Sequence, residues 1–230
     1  MNTHRRAAII VGVFFIFPTI VLFAGRALYG PILDSPDYLD RAFPNRAAVI
    51  AGILLEFTGN PAVALIPVFL FPVLKRHDET LALGYAGFRL LETMFYIVAL
   101  ICRLSLINLS QDYLSSGEMG AAYFQNIGSS ILSMADWAFT IAIPFYTLGA
   151  LMFYWVLYRS KLIPRFISAW GFVAAAVMLV GTVLAMFNLM AADSVWGIAV
   201  MLPVPLNETV LAIWLILKGF SPAAIAAETA

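Results

Sequence analysis

Residues 81–107 read LALGYAGFRLLETMFYIVALICRLSLI, a long apolar run with Arg89 and Glu92 three residues apart near its middle and Arg103 further along. A hydrocarbon layer is crossed by about 20 predominantly apolar residues in helical form. An ionised group at the centre of such a helix costs about 3 kcal/mol on insertion scales, so it faces a bundle interior, a partner or water. At 100° per residue, Tyr85, Arg89, Glu92, Tyr96 and Arg103 fall within about 60° of one another. The stretch is therefore predicted as a membrane helix with one polar stripe, and its charges are the first candidate functional residues.

The rest of the chain fits that environment. Its 230 residues are 63% hydrophobic and 11% charged, whereas about a quarter of the residues in a soluble domain are charged. Five further stretches are long and apolar enough to cross a membrane, giving spans at about 7–29, 46–74, 81–107, 126–158, 166–190 and 195–217. The expected fold is all-α: a polytopic six-transmembrane-helix bundle, with residues 1–230 as a single membrane domain. Arg5 and Arg6 precede the first apolar run as in a signal peptide, but the run outlasts a signal h-region and no small-residue cleavage pattern precedes Arg26, so it is read as a mature span.

Basic residues assign an orientation, because cytoplasmic loops retain Lys and Arg. Arg5 and Arg6, Lys75 and Arg76, then Arg159, Lys161 and Arg165, and finally Lys218 all fall on one side. The opposite connections carry Asp34, Asp37 and Asp40, then Asp112 and Glu118, then Asp193, with Arg41 and Arg46 as the competing bases. Both termini are thus expected in the cytoplasm, with the chain in the inner (plasma) membrane. Trp170, Trp196 and Trp214 lie toward span ends, as interfacial aromatics do. The two longer external linkers are 30–45, with Pro31, Pro36 and Pro44 suggesting an ordered cap or interfacial segment, and 108–125. Residues 223–230 are expected to be a frayed tail.

Other spans add polar groups. The fourth repeats the stripe with Asn126, Ser129, Ser133, Asp136, Thr140 and Thr147, and two such faces imply a shared polar interior. The second span adds Glu56, Thr58 and Asn60, the sixth adds Asn207 and Glu208, and Arg26 stands near the outer end of the first. Rise per residue puts Glu92 and Glu208 near the midplane, with Glu56 and Asp136 roughly 8 Å toward the outside. The simplest pairing joins Arg89 to Glu208 or Glu92 and sets Arg103 and Arg26 over Glu56 and Asp136. Four carboxylates then face three guanidiniums, leaving one negative charge for a cation or a proton to compensate. A purely structural network that sets helix register satisfies the same desolvation demand. Glu56, Gly59, Asn60 and Pro61 mark a kink or an interruption of the second span, since proline frees the carbonyl four residues back.

Several functions lack their central residues. Equal numbers of acidic and basic residues, 13 each, give no net field toward nucleic acid. The single cysteine, Cys102, excludes an internal disulfide and a thiolate metal cluster, and is read as a small apolar filler. His4 and His77 lie outside the spans, which removes histidine ligation of haem or zinc and serine–histidine catalysis. No phosphate-binding or dinucleotide glycine pattern occurs. No metal site and no cofactor is expected.

Three phrases carry a family resemblance: LALGYAGFRLLE from Leu81, YRSKLIPRFISAWG from Tyr158, and NETVLAIWLILKGF from Asn207. In this order and spacing the chain resembles the prokaryotic membrane family designated domain of unknown function 4386, over nearly its whole length. The resemblance implies a small six-span inner-membrane protein and carries no activity with it. Its motif positions fall on Arg89, Glu92, Arg159, Pro164, Trp170, Gly171, Glu208, Trp214 and Lys218. The middle phrase also has a mechanical reading, a tight turn lying on anionic headgroups or a set of topology-setting charges. Lys218, Gly219 and Pro222 read as a helix stop.

Three functions fit these residues. The first is a binding or transport module whose polar interior, lined by Arg89, Glu92, Glu208, Glu56, Asp136, Arg103, Arg26, Tyr96, Asn60 and Asn207, accepts a small polar or amphipathic ligand, with coupling to protons. The second is an intramembrane enzyme acting on a lipid or isoprenoid, with Glu92 and Glu208 as acid and base and the Arg89 fork holding a phosphate or carboxylate. The third is an accessory or structural subunit, which exposed rather than inward stripes would support. Expected partners are membrane lipid, that ligand and a second copy of the chain.

Overall fold

Proline and glycine punctuate long apolar runs here, and the helices follow that punctuation. The computed structural model describes residues 3–116, 120–191 and 194–226, and among them every regular element is a helix. They are α1 (Thr3–Leu33), α2 (Tyr38–Arg41), α3 (Arg46–Phe57), α4 (Gly59–Leu74), α5 (Glu79–Ser116), α6 (Ala121–Ser160), α7 (Arg165–Met186), α8 (Val195–Met201), α9 (Pro203–Leu217) and α10 (Pro222–Ala226). Six helical stretches are long and apolar enough to cross a membrane: α1, α3 with α4, α5, α6, α7, and α8 with α9. Glu118 and Asp193 of the external connections, and residues 227–230 of the expected tail, lie outside the described residues.

Boundaries depart from the sequence reading where local chemistry overrides hydropathy. Thr58 interrupts the second span: its N–H reaches both the Leu54 and Leu55 carbonyls at 3.2 Å, and Pro61 has no N–H with which to continue the ladder. The sixth span is likewise divided at Leu202, just before Pro203 and Pro205. The fifth stops at Met186 rather than near Met190, because Asn188 takes a left-handed backbone, φ 55°. Asn188 N then bonds Ala185 O and Leu189 N bonds Leu184 O, both at 2.9 Å, a Schellman closure of the last turn. The linker expected at 108–125 is instead mostly helix, since α5 runs to Ser116 and α6 starts at Ala121. Helix propagation needs no hydrocarbon, and no proline occurs between Asn108 and Gln125.

The chain partitions into two compact units. The first comprises Met1–Phe17, Ala62–Glu92 and Ala142–Ala230. Its core gathers Val11 and Phe15 of α1, Ile66 and Leu70 of α4, Tyr85 of α5, Phe153 of α6, Ile167 of α7, and Leu211 of α9. α7 packs on α8 and α9. The C-terminal carbonyls of α9, which no helical N–H can reach, are taken by one guanidinium: Arg5 Nη1 donates to Leu215 O at 3.0 Å, and Arg5 Nη2 to Ile216 O at 2.6 Å and Leu217 O at 3.3 Å. Beyond them Gly219 turns the chain at φ 75°, the stop that its sequence suggests.

The second unit comprises Pro18–Pro61 and Thr93–Ile141. Tyr29, Ile32, Leu33, Val49, Ile53, Leu100 and Leu106 form its core. Of the linker expected at 30–45, residues 30–33 with Pro31 continue α1, and the remainder is an ordered segment carrying α2. Leu39 of α2 is buried, and the buried Ser110 hydroxyl donates to Leu39 O while accepting from Phe43 N at 2.9 Å. α1 and α3 cross at Gly25 and Gly52, each facing the other's carbonyl. Small residues permit such close approach between membrane helices, where dispersion replaces the hydrophobic drive.

Outward-facing positions are strongly apolar, as lipid contact requires. Phe23, Met94, Val180 and Leu217 are all exposed. Cys102 is free and buried.

A β-carbon on residue 52 would stand 2.6 Å from Gly25 O. Gly52→Val therefore forces α1 and α3 apart, and overpacking of this kind costs about 1–3 kcal/mol. The expected outcome is a lowered Tm in detergent, whereas Gly87→Ala, whose added carbon meets nothing within 4 Å beyond its own helix backbone and chain neighbours, does not lower Tm.

Candidate functional site

Helical spacing puts Arg89 and Glu92 one turn apart on α5, where they meet directly: Arg89 Nη1 lies 2.8 Å from Glu92 Oε2. The Arg89 side chain is 5% exposed and that of Glu92 16%, so the pair is largely withdrawn from the surroundings. The guanidinium carbon also lies 5.3 Å from the centre of the Tyr146 ring on α6, a cation–π geometry. The Tyr146 hydroxyl donates to Glu208 Oε1 on α9 at 2.9 Å. Tyr85, one turn before Arg89, stacks on Phe153 with centroids 4.8 Å apart. All of these residues belong to the first unit. The outcome is a chain of contacts from Glu92 through Arg89 and the Tyr146 ring to Glu208, in which the guanidinium pairs with Glu92 and the Tyr146 hydroxyl bonds Glu208.

Tyr146 was missed in the sequence reading, although the signal was present. It lies one residue before Thr147 and so falls off the polar stripe of the fourth span. A tyrosine among apolar neighbours still carries a hydroxyl that seeks a partner when buried.

The second unit holds a separate cluster. Glu56 is 4% exposed; its Oε2 accepts from Tyr29 OH at 2.6 Å and its Oε1 from Tyr96 OH at 3.0 Å. Arg103, buried on α5, reaches Asp136 Oδ1 at 3.3 Å, while the Asp136 side chain is 74% exposed. Arg26 makes no ion pair or hydrogen bond with Glu56 among the described residues. It pairs with Asp34 at 3.4 Å, two helical turns along its own chain, and both side chains are about half exposed. A long, flexible side chain near a helix end finds the nearest solvated carboxylate at lower desolvation cost than a buried one.

The stripe on α5 is thus divided: Tyr85, Arg89 and Glu92 belong to the first unit, and Tyr96 and Arg103 to the second. The α6 stripe differs more. Asn126, Ser129, Ser133 and Asp136 are exposed, and the hydroxyls of Ser129, Thr140 and Thr147 bond carbonyls of their own helix. Helix length explains the exposure. α6 has 40 residues, about 60 Å at 1.5 Å per residue, twice the roughly 30 Å of hydrocarbon. Residues 137–157, which carry no charged side chain, are enough to fill it.

The two asparagines behave differently. Asn207 is fully buried and its Nδ2 donates to Ile167 O at 3.0 Å, tying α9 to α7. Asn60, 6% exposed, carries a buried Nδ2 without a hydrogen-bond partner among the described residues, and the buried Oδ1 of Asn207 likewise has none there. No group of three or more potential metal ligands occurs among the described residues.

The model of a family described as a domain of unknown function, DUF4386, matches residues 10–219. The match covers nearly all of the chain, which therefore belongs to that family. No curated protein and no solved structure matches it.

Removing one member of a buried ion pair leaves an uncompensated charge and costs about 3–5 kcal/mol, whereas replacing both with apolar groups costs far less. Arg89→Leu should therefore depress Tm in detergent more than the double replacement Arg89→Leu with Glu92→Leu. A double variant less stable than the single one would mean that Arg89 and Glu92 do not act as a pair.

Proposed function

We propose that this member of the DUF4386 family, a multi-pass membrane protein, is a small-ligand binding or transport module centred on Arg89, Glu92, Tyr146 and Glu208. The observation that carries the reading is the contact chain between two partly buried carboxylates: Arg89 bonds Glu92 and covers the ring of Tyr146, whose hydroxyl bonds Glu208. With both carboxylates ionised, one negative charge is left without a counter-charge in a low-dielectric setting, a state that a proton or a cationic group relieves. Binding of a small polar or amphipathic cation at Glu208 would displace a proton or break the Tyr146 bond. That exchange couples occupancy to packing between α5, α6 and α9. The orientation belongs to the same proposal: both termini cytoplasmic, in the inner (plasma) membrane, by the distribution of Lys and Arg.

A second reading, an accessory subunit, draws on the exposed polar face of α6. A photocrosslinker at Ser133 should then capture a membrane protein; labelling confined to lipid counts against it.

The main reading is tested by proton flux into liposomes containing the purified protein under an imposed pH gradient. Glu92→Gln and Glu208→Gln should each abolish flux, and Tyr146→Phe should reduce it about 10-fold or more, the loss of a hydrogen bond to a charged group being worth about 1.5–3 kcal/mol. Flux of wild-type size in both glutamine variants would remove the carboxylates from the mechanism.

A further inference from the structure

Away from that centre, the first unit has a cavity of about 620 Å³ where the α6–α7 turn meets the end of α9. We propose that this cavity binds an anionic phospholipid, its phosphate held at the rim and its glycerol and upper acyl segments on the floor.

Charge comes first. Lys161, Arg165 and Lys218 line the cavity, no acidic side chain does, and all three are exposed. Among the described residues none of the three forms an ion pair. Arg165 is held over the Tyr158 ring at 5.2 Å, which orders its guanidinium without neutralising it. Lys161 sits in a left-handed conformation, φ 57°, fixing the direction in which its side chain leaves the turn.

The second component is the start of α7. Its N-cap is Pro164, which makes no side-chain cap; Ile167 N bonds Pro164 O at 3.1 Å, while the Arg165 and Phe166 N–H groups lack the oxygen that a serine or aspartate would supply. A phosphate oxygen meets that need, and the helix dipole favours it. The third component is the floor. Leu162, Ile163 and Phe220 are buried, and Trp214 completes the lining. Ser221 N bonds Leu162 O at 2.8 Å, holding the two rims together. An inorganic anion needs no such apolar floor, whereas a lipid does. Helix ends with a tryptophan also belong at headgroup depth.

The test is native mass spectrometry of the full chain, titrated with phosphatidylglycerol and phosphatidylcholine of identical acyl chains. Phosphatidylglycerol should be retained preferentially, and the preference should fall about fivefold for each charge removed among Lys161→Gln, Arg165→Gln and Lys218→Gln. Lys218→Arg should keep it, and so should Lys75→Gln, a basic residue outside the cavity. Equal retention of the two lipids overturns the proposal, as does a loss in Lys75→Gln matching that in Lys218→Gln. Competition by free glycerol phosphate at concentrations comparable to the lipid overturns the commitment to a lipid, since the floor would then contribute nothing.

Discussion

Hydrocarbon offers no hydrogen bonds, and this constraint organises the chain. Every backbone N–H and C=O at membrane depth needs a partner within the protein, so the apolar runs become helices and the exceptions cluster at prolines. Pro18, Pro67, Pro72 and Pro144 are absorbed inside helices, while Thr58 and Leu202 mark the two breaks within spans. Helix ends obey the same demand. Asn188 closes α7 with its own backbone, whereas α9 borrows the guanidinium of Arg5 from the far end of the sequence.

Side-chain charge is handled by the same rule with different partners. Glu56 receives two phenolic hydroxyls, Arg103 reaches an exposed aspartate, and Arg26 finds its carboxylate on its own helix end. Arg89 differs from these in facing acid on more than one side, directly at Glu92 and through Tyr146 at Glu208. An arrangement built only to set helix register needs one counter-charge, and the second carboxylate is what raises this cluster above the others as a candidate site. The basic cavity at the α6–α7 turn has the opposite character, an excess of cations over an apolar floor.

Much of this was legible in the residues. Six spans, the stop at Gly219 and the Arg89–Glu92 contact follow from hydropathy, turn chemistry and the 3.6-residue repeat. The α6 stripe was correct as a pattern and wrong as a shared interior. Periodicity reports which residues share a face; it does not report whether that face meets a neighbour, lipid or water. The exposed side chains of Asn126, Ser129, Ser133 and Asp136 answer that for the first half of α6. Depth alone sets Arg26 beside Glu56 and Asp136, whereas its bonded partner is Asp34, because a long side chain selects among all groups within its radius, including one nearby on the same chain.

By itself the sequence determined the all-helical class, the six crossings and the polar positions, because each depends on local composition and on spacing along one helix. Tertiary structure decided the rest: that Tyr146 stands between Arg89 and Glu208, that Glu56 is satisfied by tyrosines, and that the end of α9 meets the α6–α7 turn around a basic cavity. Those relations join residues on different helices, from 27 positions apart for Tyr29 and Glu56 to 62 for Tyr146 and Glu208. Their distance depends on how helices pack, which no local pattern encodes.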